Sequence, residues 1–131
     1  FNLIKIMNTK TIGSFYEDKA LVYLLKQGLI LLKRNFHSSY GEIDLIFSHH
    51  QNIIFVEVRS RQHNQYGSAL SSINFLKQKK IKKTAVYFVR KNPQYQYFYW
   101  RFDIVTFDQE KIKWHQAVFN EKQNSGNVFI E

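Results

Sequence analysis

Cysteine is absent from this 131-residue chain, so neither a disulfide framework nor a thiolate metal site is open to it. Proline occurs once and glycine five times. No internal repeat, low-complexity tract or linker divides the chain. No apolar run approaches the roughly 18 residues needed to span a bilayer, so no membrane partner is expected from hydropathy. The opening Phe1–Ile6 is too short for a signal peptide and lacks a cleavage pattern. The cytoplasm is the expected location, and Met7 is a candidate start. Acid is scarce: 10 Asp and Glu stand against 19 Lys and Arg, a formal charge of +9. That excess favours a polyanionic partner, nucleic acid first and an anionic membrane surface second. Hydrophobic residues make up 44% and aromatics 17%, enough for the core of one domain at this length.

Residues 1–12 read as a flexible leader, 13–118 as one domain and 119–131 as a polar tail. Ser14-Phe15-Tyr16-Glu17 has the form of a capping box and opens a helix from Phe15 to Gln27. Phe15, Ala20, Leu21, Leu24 and Leu25 supply its apolar stripe, and Gly28 stops it. A strand follows over Leu29–Phe36, then a hairpin over 42–60 and a polar loop over Gln62–Gly67. A second helix is predicted from Ser68 or Leu70 to Arg90, with Asn92-Pro93 as its breaker. An aromatic strand over Tyr97–Phe107 and a further one over Lys111–Val118 complete the order. Helix, three strands, helix, then one or two strands make an α/β fold with a mixed sheet flanked by helices.

Two strings carry the chemistry: Gly41-Glu42-Ile43-Asp44-Leu45-Ile46 and Phe55-Val56-Glu57-Val58-Arg59. Each sets a carboxylate inside an apolar run. A lone buried carboxylate is costly, so such acids bind a metal, pair with a base or shift their pKa. Both strings alternate as strands, with His49-His50-Gln51-Asn52 as a short loop between them. If Ser48 pairs with Ile53, Phe47 lies opposite Ile54 and Asp44 opposite Glu57. Opposed residues have Cβ atoms about 4.5–5.5 Å apart. Ile43, Leu45, Phe47, Ile54, Val56 and Val58 then share one face. Glu42, Asp44, Ile46, Phe55, Glu57 and Arg59 share the other. Like charges so placed call for a cation, and Mg²⁺ suits the position because it takes one or two carboxylates and keeps several waters.

Arg59 follows Glu57 by two residues and lies on the acidic face. An acid on one strand and acid-x-base at the end of the next is the arrangement of PD-(D/E)XK nucleases. The match extends to Gly13 with Glu17 and Ala20, to Gly28, Arg34-Asn35 and Gly41–Asp44, and to Phe55–Arg59 with Arg61. It continues through Gly67, Lys77, Ala85 and Arg101-Phe102-Asp103. Together these resemble the YraN-like family, small bacterial proteins described as related to archaeal Holliday-junction resolvases, over about residues 13–107. The resemblance implies a restriction-endonuclease-like fold, DNA as partner and Mg²⁺ or Mn²⁺ as cofactor. It makes Asp44 and Glu57 metal ligands, the Val58 carbonyl a backbone donor and Glu17 the helix acid that completes the site. Junction-cutting relatives act as dimers, which makes a homodimer an expectation. This chain departs from the pattern at Arg59, where the family has lysine. Arg stays protonated and cannot serve as a base, although it can hold a phosphate or offset transition-state charge.

Lys77 falls with Ile73, Ile81, Thr84 and Phe88 on one face of the second helix, at about 100° per residue. That directs it towards the sheet, where it matches a recurrent family lysine and becomes a candidate partner of the scissile phosphate or the carboxylate pair. Snorkelling along the helix is the competing reading. Asp44, Glu57, Arg59 and Lys77 form the candidate catalytic set. Arg34, Arg59, Arg61, Lys79, Lys80 and Lys83 are candidate nucleic-acid contacts, with Lys82 beside them and surface ion pairing as the alternative for the arginines. The implied reaction is phosphodiester hydrolysis, with water attacking in line as a metal and a cation offset charge. Base identity need not be read, since phosphate contacts carry no sequence information. A non-catalytic nucleic-acid-binding or partner-recruiting domain is the alternative that Arg59 favours. A structural ion-pair network of Asp44 and Glu57 with Arg59 and Arg61 competes with the site reading. The capping box explains Glu17 without a metal. His49 and His50 lack partners at metal-ligand spacing and read as loop residues. Tyr95, Tyr97 and Tyr99 alternate with Phe98, Trp100 and Phe102 as on a half-buried strand, and Asp103 reads as structural.

Overall fold

The structure is a computed structural model that describes residues 12–61 and 72–119. The leader, the Gln62–Gly67 loop, the helix start at Ser68 or Leu70 and the tail from Asn120 lie outside the described residues.

Helix α1 spans Ile12–Lys26. It is already under way at Ile12, so Ser14 lies inside it and the expected capping box does not form its start. Its buried stripe centres on Ala20 and Leu24, with Tyr16, Leu21 and Tyr23 packed beside them. Leu25 is 46% exposed, because it falls on the rim of that stripe. Gly28 ends the helix at φ +94°. Leu29 donates its N–H to the Leu24 carbonyl and Gly28 donates to the Leu25 carbonyl. This paired C-terminal closure needs a left-handed residue, which glycine adopts without a Cβ clash.

The five strands are β1 (Ile30–Ser38), β2 (Gly41–His49), β3 (Asn52–Arg61), β4 (Tyr99–Asp108) and β5 (Lys111–His115). They lie side by side in sequence order. All neighbours are antiparallel except β3 and β4, which are parallel. A parallel pair requires a crossover, and helix α2 (Phe75–Lys91) lies in that connection. The predicted α/β arrangement is therefore present, a mixed sheet between two helices consistent with a restriction-endonuclease-like fold. The α1 side of the sheet buries Leu45, Phe47, Ile54, Val56, Val58, Val105 and Phe107. The α2 side buries Ile46, Ile53, Phe55, Trp100, Phe102 and Ile104 against Ile81, Ala85 and Phe88. Covered on both faces, β2 and β3 read as nearly unbroken apolar runs.

The hairpin register is as expected from Ser48↔Ile53 and Phe47↔Ile54 to Leu45↔Val56, but the ladder stops there, so the expected pairing of Asp44 opposite Glu57 is not part of it. One face assignment fails. Ile43 packs in the α2-side cluster with Ile46, away from Leu45 and Phe47. The cause is a break in alternation at Asp44. On one side the β2–β3 pairs end at Leu45↔Val56; on the other, the β1–β2 pairs step from Arg34↔Leu45 to Phe36↔Ile43. Asn35, skipped between them, has φ +49°, a conformation that Asn tolerates better than most residues.

Helix α2 starts at Phe75, with the Asn74 side chain accepting the Lys77 N–H at 2.9 Å. Ile73 is buried but lies before the helix. It is therefore not the helical reference from which Lys77 was placed. The inward face of α2 is nonetheless Ile81, Thr84, Ala85, Phe88 and Val89. Lys77 precedes Ile81 by one turn, so its direction is unchanged. Asn92 closes the helix and Pro93–Tyr95 forms a short 3₁₀ turn. Tyr97 therefore precedes β4 instead of lying in it, and β5 ends at His115 before Val118. No helix among the described residues is long and apolar enough to cross a membrane.

Candidate functional site

The two strand acids lie at the end of the sheet where β2 and β3 stop pairing. Their carboxylates take over the hydrogen bonds that the ladder gives up. Val58 donates its N–H to Asp44 Oδ2 at 2.8 Å, and Asp44 donates its N–H to Glu57 Oε1 at 3.4 Å. Val58, the residue after Glu57 on β3, thus turns its N–H into this gap. Asp44 is 7% exposed and Glu57 3%.

Burial raises both pKa values. Glu57 is pushed up to about 8, first by burial and then by the charge of Asp44. Asp44 is raised by burial, while the Val58 N–H and the charge of Arg59 oppose the rise. The charge of Lys77 opposes the rise of both acids. Arg59 donates to Glu57 Oε2 at 3.3 Å.

Glu17 approaches from α1. It is pushed up to about 7 by burial, with the charge of Asp44 as the next cause. Among the described residues its Oε1 is buried without a hydrogen-bond partner. With the capping box gone, no cap role accounts for this acid. Asp44 thus raises the pKa of both Glu17 on α1 and Glu57 on β3. Among the described residues, however, no three His, Asp or Glu side chains converge as a metal cage. The close pair is Asp44 and Glu57. An all-oxygen pair with excess negative charge and an orphaned third carboxylate oxygen fits a hard dication that keeps most of its waters.

The expected nucleic-acid contacts divide into two groups. Each arginine has an acidic partner: Arg34 with Asp18 at 2.6 Å, Arg59 with Glu57 at 3.3 Å and Arg61 with Asp108 at 3.2 Å. Lys79, Lys80 and Lys83 are exposed on α2. His50 is exposed in the hairpin turn at φ +55°. Asp103 accepts from Arg101, from Trp114 Nε1 at 2.9 Å and from the Ala117 N–H at 3.0 Å, which clamps β5 and the following segment to β4. Sequence reasoning missed Asp18, buried behind Arg34, and the backbone role of Asn35 opposite Asp44. The only signal was the Arg34-Asn35 dipeptide itself.

The same stretch of chain carries the likeness to known proteins. A UPF0102 protein of Acinetobacter baylyi is 45% identical over 97 residues, covering 74% of this chain and 69% of the relative. One from Clostridium botulinum is 45% identical over 96 residues, 73% of this chain and 78% of the relative. One from Fusobacterium nucleatum is 36% identical over 108 residues, 82% of this chain and 90% of the relative. A family model described as "Uncharacterised protein family UPF0102" matches residues 16–107. That span runs from α1 to β4 and holds Glu17, Asp44, Glu57, Arg59 and Lys77 together. The chain accordingly belongs to the UPF0102 family, the YraN-like group that its motifs resemble.

Proposed function

We propose that this protein binds nucleic acid, DNA foremost, and hydrolyses its phosphodiester bonds with Mg²⁺ or Mn²⁺ held by Asp44 and Glu57. The observation that carries the reading is the buried carboxylate pair, joined through Val58 N–H and Asp44 N–H in the gap between β2 and β3. A purely structural acid pair needs compensation, yet Glu57 keeps a strongly raised pKa despite Arg59 and Lys77. The Val58 carbonyl adds a neutral oxygen, and Glu17 supplies a further acid from α1. When bound, a divalent ion supplies Lewis-acid stabilisation of phosphoryl charge and acidifies water. Arg59 and Lys77 steady the phosphate and offset its growing charge. Lys77, from α2, would supply the lysine that the strand lacks, and Arg59 remains a fixed cation.

The test is incubation of supercoiled and branched DNA with Mg²⁺ or Mn²⁺, with chelator and substituted proteins as controls. Metal-dependent cleavage that Asp44→Ala or Glu57→Ala reduces at least about 100-fold is the expected result. Cleavage that survives both substitutions overturns the assignment. A second reading, a nucleic-acid-binding domain without catalysis, is favoured by Arg59 in the lysine position. Metal-independent binding with no cleavage on any substrate establishes that reading instead.

A further inference from the structure

The surface beside the acid centre has a feature that hydrolysis alone does not use. Tyr40, at the tip of the β1–β2 turn, is 49% exposed. The Lys83 ammonium lies over its ring, 5.6 Å from the centroid. The tyrosine is not on a loose loop. Its N–H donates to Ser38 Oγ at 3.1 Å, and Ser38 Oγ lies 3.1 Å from the hydroxyl of Thr84, a residue fully buried on α2. Gly41 follows at φ +149°, and a Cβ built there would sit 3.7 Å from Lys80 Cβ. The turn is therefore packed and hydrogen-bonded onto the helix, with Gly41 close to Lys80 and the Tyr40 ring against Lys83.

The helix face that continues from this ring is cationic. α2 contains no Asp or Glu. Lys79, Lys80, Lys83, Arg90 and Lys91 are all exposed. A second exposed ring, Phe75 at 70%, is paired with Lys79 at 6.0 Å. Phe75 and Lys83 are about 12 Å apart along the helix axis. Rings of this exposure gain nothing for the core. Aromatic rings interleaved with cations are the chemistry of single-strand recognition: cations follow the phosphates while unpaired bases stack on the rings.

We infer that Tyr40, with Lys80 and Lys83 beside it, is a stacking platform for an unpaired base of a nucleic-acid strand laid along α2 towards the acid centre. The inference rests on the nucleic-acid reading above and narrows its substrate class to single-stranded or frayed segments. In a paired duplex the base faces are already stacked, so the ring has nothing to receive.

The test is fluorescence anisotropy with an oligo-dT strand, an oligo-U strand and a blunt DNA duplex of equal length, using the full chain without divalent ions. The wild type is expected to bind single strands more tightly than the duplex. Tyr40→Ala is expected to weaken single-strand binding by about tenfold, with Tyr40→Trp retaining it, since stacking tolerates any large ring. Duplex affinity should change little with either. Equal loss for dT and U marks stacking without sugar selection; loss for one alone marks the platform as selective for DNA or RNA. Strong duplex and single-strand binding that is indifferent to Tyr40→Ala overturns the platform and leaves the nucleic-acid reading standing. No binding of any oligonucleotide overturns both.

Discussion

At the residue scale, the decisive fact is that two carboxylates are buried where a β-ladder stops. Each substitutes for a missing backbone partner, and burial penalises the charged form of each more than its neighbours offset. That imbalance links stability to pH. Folded Glu57 holds its proton up to about 8, whereas the unfolded group releases it near 4.5. The folded state therefore binds more protons across that window, and stability falls as pH rises through it. Glu17, raised to about 7, contributes with the same sign. Thermal melts of the metal-free protein should show the melting temperature dropping from about pH 5 to about pH 8. Glu57→Gln should flatten that drop, because the amide cannot ionise. Mn²⁺ should restore stability at the alkaline end in the wild type and do little for Asp44→Asn. A flat wild-type profile would remove the electrostatic basis of the site.

At the scale of elements, small backbone departures hold the site in shape. Asn35 at φ +49° lets β1 pass Asp44 without pairing, and the same interruption turns Ile43 to the α2 face. Gly28 closes α1 through Leu24 and Leu25, so that Leu29 enters the core. Open space surrounds the position where a Cβ would stand on Gly28, so backbone strain alone should penalise a side chain there. Gly28→Ala is expected to cost about 1–2 kcal/mol, read as a lower midpoint in urea unfolding with an unchanged slope. A neutral result would mean that the C-terminal closure relaxes into another turn. Asn74 plays the complementary part at the start of α2, capping the Lys77 N–H and placing that lysine one turn above Ile81.

At the scale of the whole molecule, the charge of +9 is unevenly spread. Arg34, Arg59, Arg61 and Arg101 all face acids, whereas the acid-free α2 presents Lys79, Lys80 and Lys83 to solvent. The proposed polyanion contact is therefore expected on the helix. Each phosphate neutralised releases counterions, so the logarithm of affinity falls linearly with the logarithm of salt. Lys79→Gln and Lys83→Gln should each reduce that slope by about 0.7–0.9, measured by anisotropy over a salt series. Substituting Arg61, already paired with Asp108 at 3.2 Å, should leave the slope nearly unchanged. The reverse pattern would move the interface to the arginines.

The sequence by itself determined the order of elements and the hairpin register as far as Leu45↔Val56; beyond it the expected Asp44–Glu57 ladder pair is replaced by side-chain hydrogen bonds. That order and register follow from period-two alternation across a short turn, which is a local property. Helical periodicity likewise marked Ile81, Thr84 and Phe88 as the inward face of α2, and it is strong enough to survive a misplaced start. Only the tertiary structure decided the rest. Whether Ser14 caps α1 depends on chain that precedes it. Ile43 changes face because Asn35, on another strand, interrupts the ladder. The raised pKa values of Asp44 and Glu57 arise from burial in a sheet covered on both sides, and that of Glu17 from burial and from Asp44, 27 residues later in the chain. Tyr40 acquires its cation, and its proposed use, through packing with a helix more than one strand pair away. Such facts depend on contacts between distant segments, and residue periodicity does not encode them.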